Sequence, residues 1–219
     1  MLLKEINYLI AKELRLEWKQ KYAFSGLLLY VVSTVFVCYL SFKKIIDPPT
    51  WNALFWIILL FAAVNAIAKS FIQESKGQQL YFYSLVSPQA VILSKMIYNL
   101  LLLTVLSLIN LLIYSLLIGN IVEDNPIFFL ALILGSMGFS SVLTMVSAIA
   151  SKANHNIAMM SVLSFPLIIP LLITTIQFSK NAIDGLERSL DFKYIIILVS
   201  INLLVVALAS ILFPYLWRE

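Results

Sequence analysis

Long apolar stretches free of charge alternate with short charged clusters along the chain. The uncharged stretches cover residues 22–42, 48–68, 96–122, 125–151, 153–179 and 194–217. Each exceeds the ~18–20 apolar residues that a helix needs to cross a hydrocarbon core roughly 30 Å thick. The pattern predicts six membrane-spanning helices, at about 22–42, 51–72, 91–118, 127–150, 157–178 and 194–217. Runs such as Leu100 to Ile113 lack the alternating polarity over ~10 residues that a membrane barrel strand carries. The expected fold class is therefore all-α, an integral membrane protein in which residues 1–219 form a single transmembrane domain. The spans leave only a short head and connections, too little for a separate soluble domain.

The head has a different period. Placed on a wheel at roughly 100° per residue, Leu2, Leu3, Ile6, Leu9, Ile10, Leu14 and Leu16 share one arc. Lys4, Tyr8, Lys12, Arg15 and Lys19 oppose them. Residues 1–21 thus read as an amphipathic interfacial helix along the inner leaflet, its basic side toward headgroups or a cytoplasmic partner. Glu13 and Glu17 break the apolar arc, where lipid is a poor neighbour for charge. In one reading Glu17 reaches Lys21 at i+4 and both snorkel to water. In the other, Glu13 and Glu17, with Arg15 beside them, form an interface to basic residues of the second connection or of a partner chain. The first apolar run is followed by Lys43 and Lys44 and not by an Ala-x-Ala-like site, so it is expected to remain in the mature protein.

Composition supports the membrane assignment: 62% of residues are hydrophobic and 12% charged, against about 45–50% and 25% in soluble domains. Charge adds an orientation. With six spans the termini share a side, which then carries Lys4, Lys12, Arg15, Lys19, Lys21, Lys69, Lys76, Lys95, Lys152 and Arg218. The other side has only Lys43, Lys44, Lys180, Arg188 and Lys193, with Asp184, Glu187 and Asp191 offsetting the last three. The positive-inside rule predicts cytoplasmic termini. It also accounts for the net charge of +4 without a nucleic-acid partner.

Asp47-Pro48-Pro49 and Asp124-Asn125-Pro126 place capping side chains and prolines ahead of spans two and four, and Ser87-Pro88 does so for the third helix, which should begin inside the cytoplasm. Trp51, Trp56 and Trp217, near span ends, are expected to anchor in the headgroup zone.

Several chemistries lack their residues. One cysteine, Cys38, permits neither an internal disulfide nor a Cys-x-x-Cys pair, and one histidine, His155 in the turn 151–156, is no zinc site by itself. The spans hold no carboxylate pair or metal-ligand cluster for an intramembrane hydrolase, and no Gly-x-x-x-x-Gly-Lys-Ser/Thr loop for ATP. No catalytic, cofactor or metal residue is assigned. Any energy source is expected on another subunit or in a gradient. The intramembrane polar groups Asn65, Asn99, Asn110, Gln177 and Asn202 are neutral, which argues against a gradient-driven transporter.

Three features remain to carry function. The second cytoplasmic connection, Lys69 to Pro88, passes from a polar half to Leu80-Tyr81-Phe82-Tyr83, a pattern that fits a short amphipathic segment docking on a cytoplasmic protein. Pro166 and Pro170, four apart in the fifth span, should bend that helix. Gly135, Ser136, Gly138, Ser140, Ser141, Thr144 and Ala148 in the fourth span should let neighbouring helices approach closely.

In order, these parts resemble the haem exporter protein B family, the permease subunit of the cytochrome c maturation ABC complex. The likeness rests on Lys12-Glu13-Leu14-Arg15-Leu16-Glu17-Trp18-Lys19-Gln20, on Phe71, Glu74, Gly77 and Ser87-Pro88, on Lys95, and on Pro166-Leu167-Ile168-Ile169-Pro170. The stretch from Gly77 to Pro88 is longer than the family's usual spacing. The resemblance implies a type-2 (ABC-2) exporter permease that pairs with a second copy of itself and binds a cytoplasmic ABC ATPase, which holds the ATP. It further implies a haem-handling membrane subunit with a small companion, and a periplasmic haem chaperone, with ATP hydrolysis coupled to haem delivery or to release of the haem-loaded chaperone. Haem is then the cargo of the complex and not a cofactor of this chain, which offers neither paired axial ligands nor a Trp-rich outer motif.

On this reading the chain is a non-enzymatic permease whose ATPase-docking residues are Phe71, Glu74, Gly77, Gln79 and Pro88. The competing expectations are an ABC-2 permease for a lipid or small molecule, and a passive membrane scaffold.

Overall fold

A computed structural model describes residues 2–19, 21–42, 47–72, 86–152, 157–186 and 190–218. Regular structure among them is entirely helical: α1 Leu2–Lys19, α2 Lys21–Phe42, α3 Pro48–Ile67, α4 Lys69–Ile72, α5 Pro88–Leu117, α6 Asn125–Lys152, α7 Ile157–Ile183 and α8 Asp191–Arg218. The protein is an all-α integral membrane protein, and α2, α3, α5, α6, α7 and α8 contain the six segments long and apolar enough to span a bilayer. Helices are the natural outcome for such sequences, because in hydrocarbon every backbone N–H and C=O must be satisfied within its own segment.

Helix starts follow the caps. Asp47 takes an extended conformation and accepts from Thr50 N–H at 3.2 Å, with proline opening α3. These hydrogen bonds, the Thr50 hydroxyl ahead of its amide, hold the Asp47 carboxyl below its ordinary range. Asp124 accepts from Ile127 N–H at 3.3 Å at the start of α6. Ser87 departs from the expectation: it occupies the N-cap position of α5, yet its side chain makes no cap bond to its own helix.

The centre of the bundle is α6. Its residues from Gly138 to Ala148 are buried on every side, as expected of a helix surrounded by others. The small side chains make this possible. A Cβ on Gly135 would stand 2.7 Å from the Trp56 ring, and one on Gly138 would collide with Leu171 of α7. At the periphery, α2 buries fully only Val31 and Val35 among its described side chains.

The tryptophans correct the sequence reading. Trp51 and Trp56 do not face lipid; they are 1% and 0% exposed, packed in the core. Trp51 stacks on Phe55 at 5.9 Å, meets Tyr114 edge-on at 4.9 Å and donates from Nε1 to Gly119 O at 3.0 Å. Trp56 Nε1 donates to Ser179 Oγ at 2.7 Å. An indole whose N–H finds a protein acceptor need not turn to the headgroups for one. The side chain of Trp217 lies outside the described residues.

At the end away from the termini, connections are short and cross-tied. Gly119 turns the chain at φ 110°, Asp124 N–H donates to Ala182 O at 2.9 Å, and Asn181 Nδ2 reaches the buried Asp191 at 3.0 Å. At the termini end, Phe71 after α3 packs against Phe213 of α8, ring centroids 5.7 Å apart.

Candidate functional site

The conspicuous polar cluster at the termini end gathers around the first three turns of α5. Pro88 fixes the helix start, and Ser87, Lys95 and Tyr98 rise along the surface that faces α1. Three carboxylates of α1 meet them. Glu5 Oε2 accepts from Ser87 N–H at 3.2 Å and from Ser87 Oγ at 2.8 Å. Glu13 Oε1 lies 3.5 Å from Lys95 Nζ and 3.3 Å from Lys12 Nζ. Glu17 Oε2 accepts from Tyr98 OH at 3.0 Å. The partners ascend together, Glu5 with Ser87, Glu13 with Lys95 and Glu17 with Tyr98, so α1 runs parallel to the α5 stem in a constant register.

Glu5 thus replaces the missing cap: a carboxylate from another helix holds the N-terminus of α5, where exposed N–H groups and the helix dipole favour negative charge. The Ser87 hydroxyl, and after it the Ser87 amide, hold the Glu5 carboxyl below its ordinary range.

Lys95 is the deepest charge of the cluster, 3% exposed. Lysine is almost never buried to this degree unless paired. Its ammonium donates to Ser70 O of α4 at 2.6 Å, faces Glu13 of α1, and lies 4.8 Å from the Phe71 ring centroid. One turn on, Asn99 Nδ2 donates to Thr144 Oγ1 of α6 at 2.8 Å and reaches Ser70 Oγ at 3.4 Å. Ser140 Oγ donates to Met96 O at 2.9 Å, and Ser147 Oγ to Ile67 O at 3.4 Å. Five helices, α1, α3, α4, α5 and α6, thereby meet at the point where the second connection leaves the bundle.

The residues singled out in the sequence fall in different places. Glu13 and Glu17 engage α5 of the same chain; the side chain of Lys21 lies outside the described residues, and Arg15 is exposed. Phe71 is 4% exposed, its ring turned into the bundle. Pro88 is half-buried at the start of α5. Glu74, Gly77, Gln79 and His155 lie outside the described residues. Pro166 and Pro170 occupy the exposed face of α7, with Ser164, Ile168 and Leu171 turned inward, and α7 is helical through both. Sequence reasoning missed Glu5, Ser70, Tyr98 and Asn99. The available signal was the lone Lys95 two turns into an otherwise apolar helix, together with a third acid on α1 eight residues before Glu13.

This arrangement is suited to holding α1, α4, α5 and α6 in one relative position. The sequence profile described as "CcmB protein" matches residues 4–216, nearly the whole chain. No curated protein matches it.

Proposed function

This chain belongs to the CcmB family, membrane permease components of the haem exporter in cytochrome c maturation, and from that membership we propose that it converts ATP hydrolysis on a partner into movement of the membrane complex. The partner is a cytoplasmic ABC ATPase, bound at the second connection around Glu74, Gly77 and Gln79 and flanked by Phe71 and Pro88. A second copy of this chain, the haem-handling membrane subunit with its small companion and the periplasmic haem chaperone complete the assembly. The work is spent on releasing the haem-loaded chaperone, not on passing haem through this chain. The complex lies in the bacterial inner membrane with both termini of this chain cytoplasmic.

The observation that carries this reading is the anchoring of the root of the second connection: Ser70 and Phe71 are held by Lys95 and Asn99 against α5 and α6. A loop that receives force from a soluble motor needs such a root.

Affinity purification of the tagged chain from its native membrane is expected to bring down an ABC ATPase together with the haem-handling subunit. Deletion of the gene is expected to abolish covalent haem in c-type cytochromes. Normal cytochromes in the deletion strain would favour an ABC-2 permease for another cargo, and recovery without any ATPase would favour a passive scaffold.

A further inference from the structure

The ATPase-driven reading leaves open how a force on the second connection would reach the rest of the chain. One amine answers to three elements here. Lys95 stands on α5, donates to the Ser70 carbonyl of α4 at 2.6 Å, and faces the Glu13 carboxylate of α1 at 3.5 Å, with the Phe71 ring 4.8 Å away. The Ser70 carbonyl belongs to the short helix α4, which follows α3. Glu5–Ser87 and Glu17–Tyr98 then fix α1 along the α5 stem on either side of Lys95.

Stability alone does not require this charge. Replacing a buried ion pair by apolar side chains of similar size is often neutral or stabilising, whereas removing one partner is costly, so net stability of the fold does not explain why the pair is there. We infer that Lys95 is a positioning residue for coupling: it locks α4, the α5 stem and α1 into one lever, so that displacement of the second connection moves the amino-terminal helix and α5 together. The inference rests on the ATPase-coupled reading above.

The decisive comparison uses the full complex in lipid with three forms of this chain: wild type, Lys95→Arg, and the apolar pair Lys95→Met with Glu13→Leu. The apolar pair is expected to fold, to retain its ATPase and to keep KM for ATP. It should nevertheless consume at least about fivefold more ATP per covalent haem formed, the low end of a coupling free energy between two sites. Lys95→Arg, which keeps the donor and the charge, is expected to remain near wild type. Wild-type coupling in the apolar pair would overturn the inference, and so would loss of the ATPase from that variant, since Lys95 would then belong to the docking surface. Hydrogen exchange of residues 2–19 in the isolated full chain separates the lever from the permease reading. Faster exchange in the apolar pair, but not in Lys95→Arg, is expected whether or not an ATPase binds, and equal protection in all three forms sinks the lever.

Discussion

Ser179 serves two buried partners at once. Its Oγ accepts from Trp56 Nε1 at 2.7 Å and is 2.8 Å from Asn52 Oδ1, while Asn52 Nδ2 donates to Ile176 O at 2.8 Å. All three side chains are fully buried. Hydrogen bonds between membrane helices average only about 0.6 kcal/mol in net value. Leaving a buried donor without an acceptor is the larger effect, about 1–3 kcal/mol. Ser179→Ala is therefore expected to lower the thermal midpoint of the detergent-solubilised chain by several degrees, at about 2–4 °C per kcal/mol for a chain of this size. An unchanged midpoint would mean that Trp56 and Asn52 find other partners. The same residues mark where a sequence ceases to be legible. A tryptophan near a span end is rightly suspected of interfacial anchoring, but whether its N–H meets a hydroxyl 123 positions away depends on which helices pack.

At the level of elements, α1 turns its acidic residues toward α5, Glu13 to Lys95 and Glu17 to Tyr98. The wheel places Glu13 and Glu17 in the apolar arc because that arc faces the protein, with Ile6 and Leu9 buried beside them. The exposed apolar strip lies further round, at Leu3, Leu14 and Trp18, the last 81% exposed. Docking of α1 should depend on pH in a definite direction. Because Ser87 holds the folded Glu5 pKa below its free value, the carboxylate stabilises docking above the ordinary glutamate range. That contribution disappears as pH falls through the lowered folded value. Corrected for the intrinsic slowing of amide exchange in acid, the protection of residues 2–19 against hydrogen exchange is expected to fall on acidification through this window. In Glu5→Gln, exchange should already be faster at neutral pH and its dependence on pH flatter; an unaltered pH profile in the variant would show that Glu5 does not hold α1.

Across the whole molecule, the alternation of spans makes a claim about sidedness. In a Cys38→Ser background, Lys4→Cys is expected to react with a membrane-impermeant maleimide only from the cytoplasmic face, and Asn120→Cys only from the outer face; both positions are exposed. Reactivity from the opposite faces would invert the orientation drawn from the basic residues. The sequence by itself determined the number of spans, their helical nature and the caps at Asp47 and Asp124, because in hydrocarbon these are settled within each segment by length, apolarity and local hydrogen bonding. It also carried enough family-specific residues to indicate the family. Only the tertiary structure decided that α6 lies at the centre, that Trp51 and Trp56 turn inward, and that Glu5, Glu13 and Glu17 belong to α5. Those outcomes join residues some 80 to 120 positions apart, and lipid is as apolar as the side chains it competes with. Hydrophobicity therefore cannot say which helix face meets which, and the choice falls to small-residue fit and a few buried polar pairs.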